Sequence, residues 1–360
     1  MNTIFPNKIT DDYTSVLVAK WLLICCGLVF LMVVIGGITR LTGSGLSMVD
    51  WRPLMGIIPP ITSDEWQKTF EMYQSTPEFL KKNFNMDIHG FKEIFFLEYV
   101  HRLLGRIIGL VFLIPFIYFV YKNYIKKNDI PKYIIMFILG GMQGILGWYM
   151  VKSGLINNPA VSQYRLTAHL IAAFLVYGFM FWVALSLLLP SKNNKSHPWF
   201  RITIAVTILI IITIISGGFV AGLKAGKIYN TFPMMGNFWV PPDILAIEPA
   251  WKNLFENMAT VQFNHRILAI STFIIIIIYA LKIPKLYLST KIRKGITALI
   301  HTATLQVILG ISTLLLIVPT VLAALHQAVA MLLFTILLFL CHGLYRERST
   351  NLPKETILPY

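Results

Sequence analysis

Four of the eight histidines are spaced so that they could act as two pairs of metal ligands. His101 and His265 lie in similar segments of the two halves of the chain, EYVHRLLGR and QFNHRILAI. His169 and His326 lie near the start of two other apolar runs, so that each half has one histidine on its second run and one on its fourth. Two imidazoles that face each other across a helix bundle suit the axial positions of haem iron. Zinc would need a tighter cluster with cysteine or carboxylate ligands, which neither half supplies.

The residues one helical turn before the first histidine of each pair differ between the halves. Glu98 is three residues before His101, whereas Gln262 is three residues before His265. A carboxylate can transfer protons where an amide cannot, which makes Glu98 the candidate catalytic residue. The alternative is that Glu98 only forms an ion pair with Arg102, which follows it by four residues.

Arginines near the histidines are candidates for binding the propionates of a haem. Arg165 is four residues before His169, where the second half has Leu322. A guanidinium in that place could hold a propionate by charge-assisted hydrogen bonds. Arg102, Arg266 and Gln262 are further candidates for propionate or supporting contacts. The first half therefore has the features of a reaction site, and the second those of a site for a resident cofactor.

The composition indicates that these residues are held by helices in a membrane. Residues counted as hydrophobic make up 56% of the 360, mean hydropathy is +0.68, and only 13% are charged. A helix needs about 20 apolar residues to cross the hydrocarbon core. The predicted spans are residues 21–39, 97–121, 133–151, 164–189, 202–222, 262–281, 296–317 and 321–345. Because backbone groups in lipid need internal partners, all eight are predicted to be helices.

The two halves of the chain resemble each other beyond the histidine segments. QGILG at 143–147 matches QVILG at 306–310, and Gly36-Gly37 in the first span matches Gly217-Gly218 in the fifth. An even number of spans per repeat makes the two halves parallel. We therefore predict an all-α membrane protein with two four-helix bundles, formed by residues 1–190 and 191–360.

Positive charge is concentrated in alternate loops, which predicts the orientation in the membrane. Lysines and arginines follow the even-numbered spans, so both termini are expected in the cytoplasm. The excess of basic over acidic residues, 31 against 16, then reflects topology rather than nucleic-acid binding. Residues 40–96 and 223–261 would face outward as ordered caps. Without a recognisable transit peptide, the chain is expected in a bacterial inner membrane.

Several longer motifs resemble the haem A synthases, which convert haem O to haem A for terminal oxidases. They are GGITRLTGSGLSMVDWRPLMGIIPP, FKEIFFLEYVHRLLGRIIG, GILGWYMVKSGL, YRLTAHL, GGFVAGLKAGKIYNTFPMM, FNHRILA and ALHQAVA, and together they extend over essentially the whole chain. The long first outer segment is similar to that of the proteobacterial and mitochondrial branch. Another branch has a cysteine pair in its outer loops, and this chain lacks it.

The resemblance implies an oxidoreductase that acts on a methyl group. Members of the family oxidise the C8 methyl of haem O to a formyl group by successive hydroxylation and loss of water. By resemblance, His265 and His326 would bind the iron of a resident haem b, and His101 and His169 that of the substrate haem O. Glu98 matches a glutamate that is essential in the family. We therefore expect haem b to carry electrons away while Glu98 handles protons at the substrate.

Two alternatives remain open from the residues alone. One is a dihaem membrane protein that exchanges electrons with quinone through the same ligands, and the other is a transporter, since parallel repeats are common there. The partners expected from the resemblance are haem O, membrane lipid, the farnesyltransferase that makes haem O, and oxidase assembly factors. The electron acceptor is not predicted.

Overall fold

A computed structural model describes residues 8–49, 57–155, 159–189, 196–285 and 288–346. Its α-helices are α1 (Lys8–Leu41), α2 (Ser63–Gln74), α3 (Pro77–Lys81), α4 (Ile88–Tyr121), α5 (Ile130–Lys152), α6 (Gln163–Leu188), α7 (Phe200–Leu223), α8 (Asn253–Glu256), α9 (Met258–Lys282), α10 (Thr290–Leu315) and α11 (Thr320–Arg346). No strand is present among these residues, only a bridge between Met235 and Phe238. Both predicted cytoplasmic termini, and residues 50–56 of the first long motif, lie outside the described ranges.

The prediction of eight membrane-spanning helices is confirmed for the described residues. Helices α1, α4, α5, α6, α7, α9, α10 and α11 are each long and apolar enough to cross a bilayer. Helix α4 shows why they suit lipid: Ile107, Leu110, Ile114 and Ile117 form an exposed stripe at helical spacing. Such a stripe would be unfavourable in water, and it is ordinary on a surface that faces acyl chains.

Helix α4 begins well before the predicted span. Its N-cap is Asp87, whose side chain accepts a hydrogen bond of 2.8 Å from the Gly90 amide. The added turns bury Phe91 and Phe95 against Trp66 of α2, where burial of aromatic surface stabilises the helix outside the apolar run. His101 therefore does not open the helix; it lies more than three turns after the helix begins.

Helices from both halves pack together in the centre of the molecule. Helix α1 contacts α4, α6 and α11, while α7 contacts α6, α9 and α11. The apolar core around Trp21, Phe112 and Tyr133 also includes Met331 and Phe334 of α11. The first core is thus completed by a helix from the second half of the chain, and the division into two bundles at residue 190 stays a prediction.

Candidate functional site

Each of the four predicted ligand histidines packs on a glycine of the preceding span. A Cβ added to the glycine would lie 2.9 Å from Nε2 of His101 at Gly36, 3.4 Å from Cε1 of His169 at Gly147, 3.1 Å from Cε1 of His265 at Gly217, and 2.9 Å from Cε1 of His326 at Gly310. The shortest of these distances leave no room for a side chain. The four glycines therefore create space for four imidazoles at one end of the helix bundle.

The helices that carry the four histidines are compatible with the predicted pairs, which stay a prediction. Within each half the two histidines lie on helices that pack against a common neighbour, since α1 contacts both α4 and α6, and α10 contacts both α9 and α11. Within the described chain, no group of three or more histidine, cysteine and acidic side chains could hold a metal ion. Two imidazoles per site fit the axial positions of haem iron better than a zinc site, which needs more protein ligands.

The second pair has the features of a site for a planar cofactor. Nδ1 of His265 and Nδ1 of His326 are buried and make no hydrogen bond of normal geometry, although the backbones of Thr213 and Gln306 lie beside the two rings. Gln306, one turn before Gly310 on α10, places its Nε2 3.4 Å from Nε2 of His326. Unpartnered buried nitrogens are costly unless another group uses the rings, so the residues present fit a haem.

A glutamine contacts the first pair as well. With its amide turned so that Nε2 faces α6, Gln143 donates to the carbonyl and to Nδ1 of His169 at 3.2 Å each. In that orientation the amide oxygen accepts from the Ala173 amide at 3.3 Å. Gln143 and Gln306 occupy matching places in QGILG and QVILG, which the sequence comparison used only as signs of a repeat.

Glu98 is buried in a corner where donors surround both carboxylate oxygens. Oε1 accepts from Nε and Nη2 of Arg102 at 3.1 and 2.6 Å. Oε2 accepts from the Ser47 amide at 2.8 Å, the Ser47 hydroxyl at 2.7 Å and the Met48 amide at 2.9 Å. The ion pair with Arg102 is therefore present, and the carboxylate also anchors Ser47 and Met48, in the segment between α1 and α2, to α4.

Gln262 occupies the matching corner of the second half, with the opposite hydrogen-bond pattern. Its Nε2 donates to the carbonyls of Ala225 at 2.9 Å and Tyr229 at 3.2 Å, while Oε1 accepts from Arg266 at 3.3 Å. Arg266 also donates to the carbonyls of Tyr229 and Met234. Among the described residues Arg266 forms no ion pair, and its buried Nε has no partner. This unbalanced positive charge suits a propionate.

Arg165 lies away from these corners. Its guanidinium stacks on the Tyr149 ring at 3.7 Å and donates to the Tyr149 carbonyl at 2.8 Å, which joins α6 to the end of α5. The structure shows no link between Arg165 and His169 beyond their shared helix, so its propionate role stays a prediction.

The remaining histidines are dispersed. His89 is exposed near Glu93, and His301 is exposed on α10. His342 is buried beside Ser186 near the opposite end of the bundle, and His197 is buried nearby, where its backbone amide donates to the Leu344 carbonyl. The three cysteines are buried and free. The sequence interpretation missed the support given by Gly36, Gly147, Gly217 and Gly310. The signal was available, because the two repeated motifs and the paired glycines contain these positions.

Comparison with known proteins gives a consistent result. The COX15-CtaA family, described as cytochrome oxidase assembly protein, matches residues 19–338. The chain is 50% identical over 334 residues to the haem A synthase of Nitrosospira multiformis, covering 92% of this chain and 94% of that protein. It is 47% identical over 346 residues to the haem A synthase of Nitrosomonas eutropha, covering 94% and 97%. It is also 43% identical over 348 residues to haem A synthase COX15 of Arabidopsis thaliana, covering 93% and 76%. The chain therefore belongs to the COX15-CtaA family.

Proposed function

We propose that this protein is a haem A synthase that oxidises the C8 methyl of haem O to a formyl group. The observation that supports this most strongly is the set of four glycine-supported histidines in two pairs at one end of a membrane bundle. The relatives named above are haem A synthases, and the chain matches them over most of their length. A transporter would have no need for paired imidazoles with unpartnered ring nitrogens.

The pair in the second half is the proposed site of a resident haem b. His265 and His326 would bind its iron, and Arg266 would hold a propionate with the charge that no acidic residue of the described chain balances. When bound there, haem b supplies a one-electron redox centre. The protein's part is to orient both imidazoles through Gly217 and Gly310 and to keep water away from them.

The pair in the first half is the proposed site for haem O. His101 and His169 would bind its iron, and Glu98 lies one turn further out on the same helix as His101. Arg102 and Ser47 hold the carboxylate in one orientation, so that a negative charge stays next to the substrate site. We assign Glu98 to proton uptake during methyl oxidation, because it is the buried carboxylate nearest in sequence to a ligand histidine.

The surroundings of the enzyme are inferred from charge and chemistry. Lysines and arginines after the even-numbered spans favour cytoplasmic termini and a bacterial inner membrane, with both haem sites toward the outer side. Haem O would arrive from the membrane-bound farnesyltransferase that makes it. Oxidase assembly factors would receive the product.

Production of the chain in cells that make haem O but lack haem A tests the proposed function. Mass analysis of extracted pigments should detect haem A with the wild-type chain and none with Glu98→Gln. Haem B and haem O without haem A in the wild-type extract would favour the quinone-linked electron carrier instead. A Glu98→Gln protein that forms haem A at the normal rate would contradict the role of Glu98 without affecting the ligand assignment.

A further inference from the structure

Gln327 connects the last membrane helix to the first. It follows His326 directly on α11, and its Nε2 donates a hydrogen bond of 2.7 Å to the Val33 carbonyl on α1. Val33 lies inside α1, so the amide approaches the helix from its side rather than at an end. A side-chain amide within the membrane requires such a partner, and the bond holds α11 and α1 in one register.

The contact with α1 is close enough to exclude any side chain at one position. A Cβ placed on Gly37 would lie 2.5 Å from Oε1 of Gln327. The preceding residue, Gly36, is the one on which His101 packs. Two consecutive glycines of α1 therefore contact one residue of each half: Gly36 contacts the His101 ring, and Gly37 contacts the neighbour of His326.

The matching interface between α6 and α7 lacks this hydrogen bond. There a Cβ on Gly218 would lie 2.9 Å from Oγ1 of Thr167, so the packing is similarly tight. The Thr167 hydroxyl has no hydrogen-bond partner among the described residues. Packing alone allows two helices to slide slightly past each other. The hydrogen bond of Gln327, by contrast, makes the position of α1 depend on that of α11 beside His326.

We propose that Gln327 is a positioning residue that couples the two histidine pairs. Haem binding at His265 and His326 fixes α11, and Gln327 then fixes the Gly36-Gly37 segment that supports His101. The inference rests on the proposed function because it assumes that both pairs bind haem. Coupling of this kind is reciprocal, so binding at either site strengthens binding at the other.

Haemin titrations of the full-length protein in lipid nanodiscs measure this coupling. The affinity of the first pair is read from the bis-histidine absorption spectrum, once with the second pair filled and once in a His265→Ala/His326→Ala background. For the wild-type protein we expect about three- to tenfold tighter binding when the second pair is filled, since one hydrogen bond is the connecting element. For Gln327→Leu the ratio should fall to about one, with the second pair still binding haemin.

Two further variants separate coupling from a general loss of structure. Gly37→Ala displaces the Gln327 amide, so this variant by itself should lower the affinity ratio to about one. Combining it with Gln327→Leu should change the ratio no further. Thr167→Val, at the matching interface, should keep the wild-type ratio. A wild-type ratio in Gln327→Leu would overturn the coupling while leaving the proposed function intact. A wild-type protein that binds one haemin per chain would contradict both.

Discussion

Each half of the molecule has an arginine one turn after a buried polar side chain: Arg102 after Glu98, and Arg266 after Gln262. The loops that contact Glu98 and Gln262 nevertheless present opposite backbone groups. At Glu98 the loop offers the Ser47 and Met48 amides, which are donors. At Gln262 the loop offers the Ala225 and Tyr229 carbonyls, which are acceptors. A carboxylate only accepts hydrogen bonds, whereas an amide nitrogen must donate them. Each loop therefore fits the residue of its own half.

The difference changes the charge of each corner. Arg102 is balanced by Glu98 at 2.6 Å, whereas Arg266 lacks an acidic partner in the described chain. A corner with a balanced pair keeps a carboxylate close to the substrate site. A corner with a free positive charge can retain the propionate of a resident haem. Under the proposed function, this one difference between the halves, together with its matching loop, would separate the site of reaction from the site of the resident haem.

Replacement of Arg102 and of Arg266 should change the unfolding free energy by the most unequal amounts. Arg102→Gln leaves the charge of Glu98 buried without its partner, and we expect a loss of about 3–5 kcal/mol in unfolding free energy. Arg266→Gln removes bonds to neutral carbonyls and should cost about 1 kcal/mol in the haem-free protein. Thermal unfolding in detergent compares the two. Equal losses would show that the corners do not differ in charge balance.

The glycines under the histidines should show graded effects on haem retention. Gly310→Ala places a Cβ 2.9 Å from the His326 ring, and we expect about ten- to a hundredfold weaker haem binding in the second half. Gly147→Ala has 3.4 Å to the His169 ring and should weaken binding much less. Gly144→Ala on the same helix meets nothing within 4 Å and serves as the control. Alanine favours helices, so a loss cannot be attributed to helix breaking.

Exchange of the two corner residues tests whether each loop is matched to its side chain. Glu98→Gln would bring amide hydrogens against donors, and Gln262→Glu would bring a carboxylate against the Ala225 carbonyl. Each single exchange should cost about 1–3 kcal/mol in unfolding free energy, because buried backbone groups of the loop lose their partner; in Gln262→Glu the charge of Arg266 offsets only part of this cost. Denaturant unfolding of haem-free protein measures both. A neutral Gln262→Glu would contradict the matching of loop and residue.

The segment between α1 and α4 and the segment between α7 and α9 should differ slightly in their response to pH. Glu78 is buried beside Tyr73, and burial raises its pKa to about 7 despite Lys82 and Lys224, with the charge of Glu98 adding to the rise. The ordinary pKa of this carboxyl is 4.5, so folding favours its protonated form. The contribution of Glu78 to stability is therefore lost as the pH rises from about 4.5 to about 7.

The second outer segment provides the control for this pH effect. There the fully buried polar residue is Asn253, an amide that does not titrate and that bonds to backbone groups of Ile247. The unfolding midpoint should therefore depend less on pH in Glu78→Gln between pH 5 and 7, whereas Asn253→Ala should lower the midpoint by the same amount at each pH. An unchanged slope in Glu78→Gln would exclude Glu78 as the source.

The sequence predicted the spans and the family because apolar length and repeated motifs are local properties, whereas the roles of the histidine pairs stay a prediction. It left open whether Glu98 has a partner, since Ser47 and Met48 are distant in the chain and act through backbone amides that any residue would supply. The predicted second span, 97–121, begins later than α4 because the first turns of the helix, with Phe91 and Phe95, are stabilised by α2 and not by lipid. Gln327 was missed because its partner, Val33, lies at the other end of the sequence.

The inequality of the two halves can be tested most directly by the haem content of two double variants. His101→Ala/His169→Ala should retain one haem B per chain and form no haem A, because only the reacting site is removed. His265→Ala/His326→Ala should lose the resident haem B while the first pair can still bind haem O. Pyridine-haemochrome analysis of both purified proteins gives the answer. Haem B retained by the second variant and lost by the first would contradict the assignment.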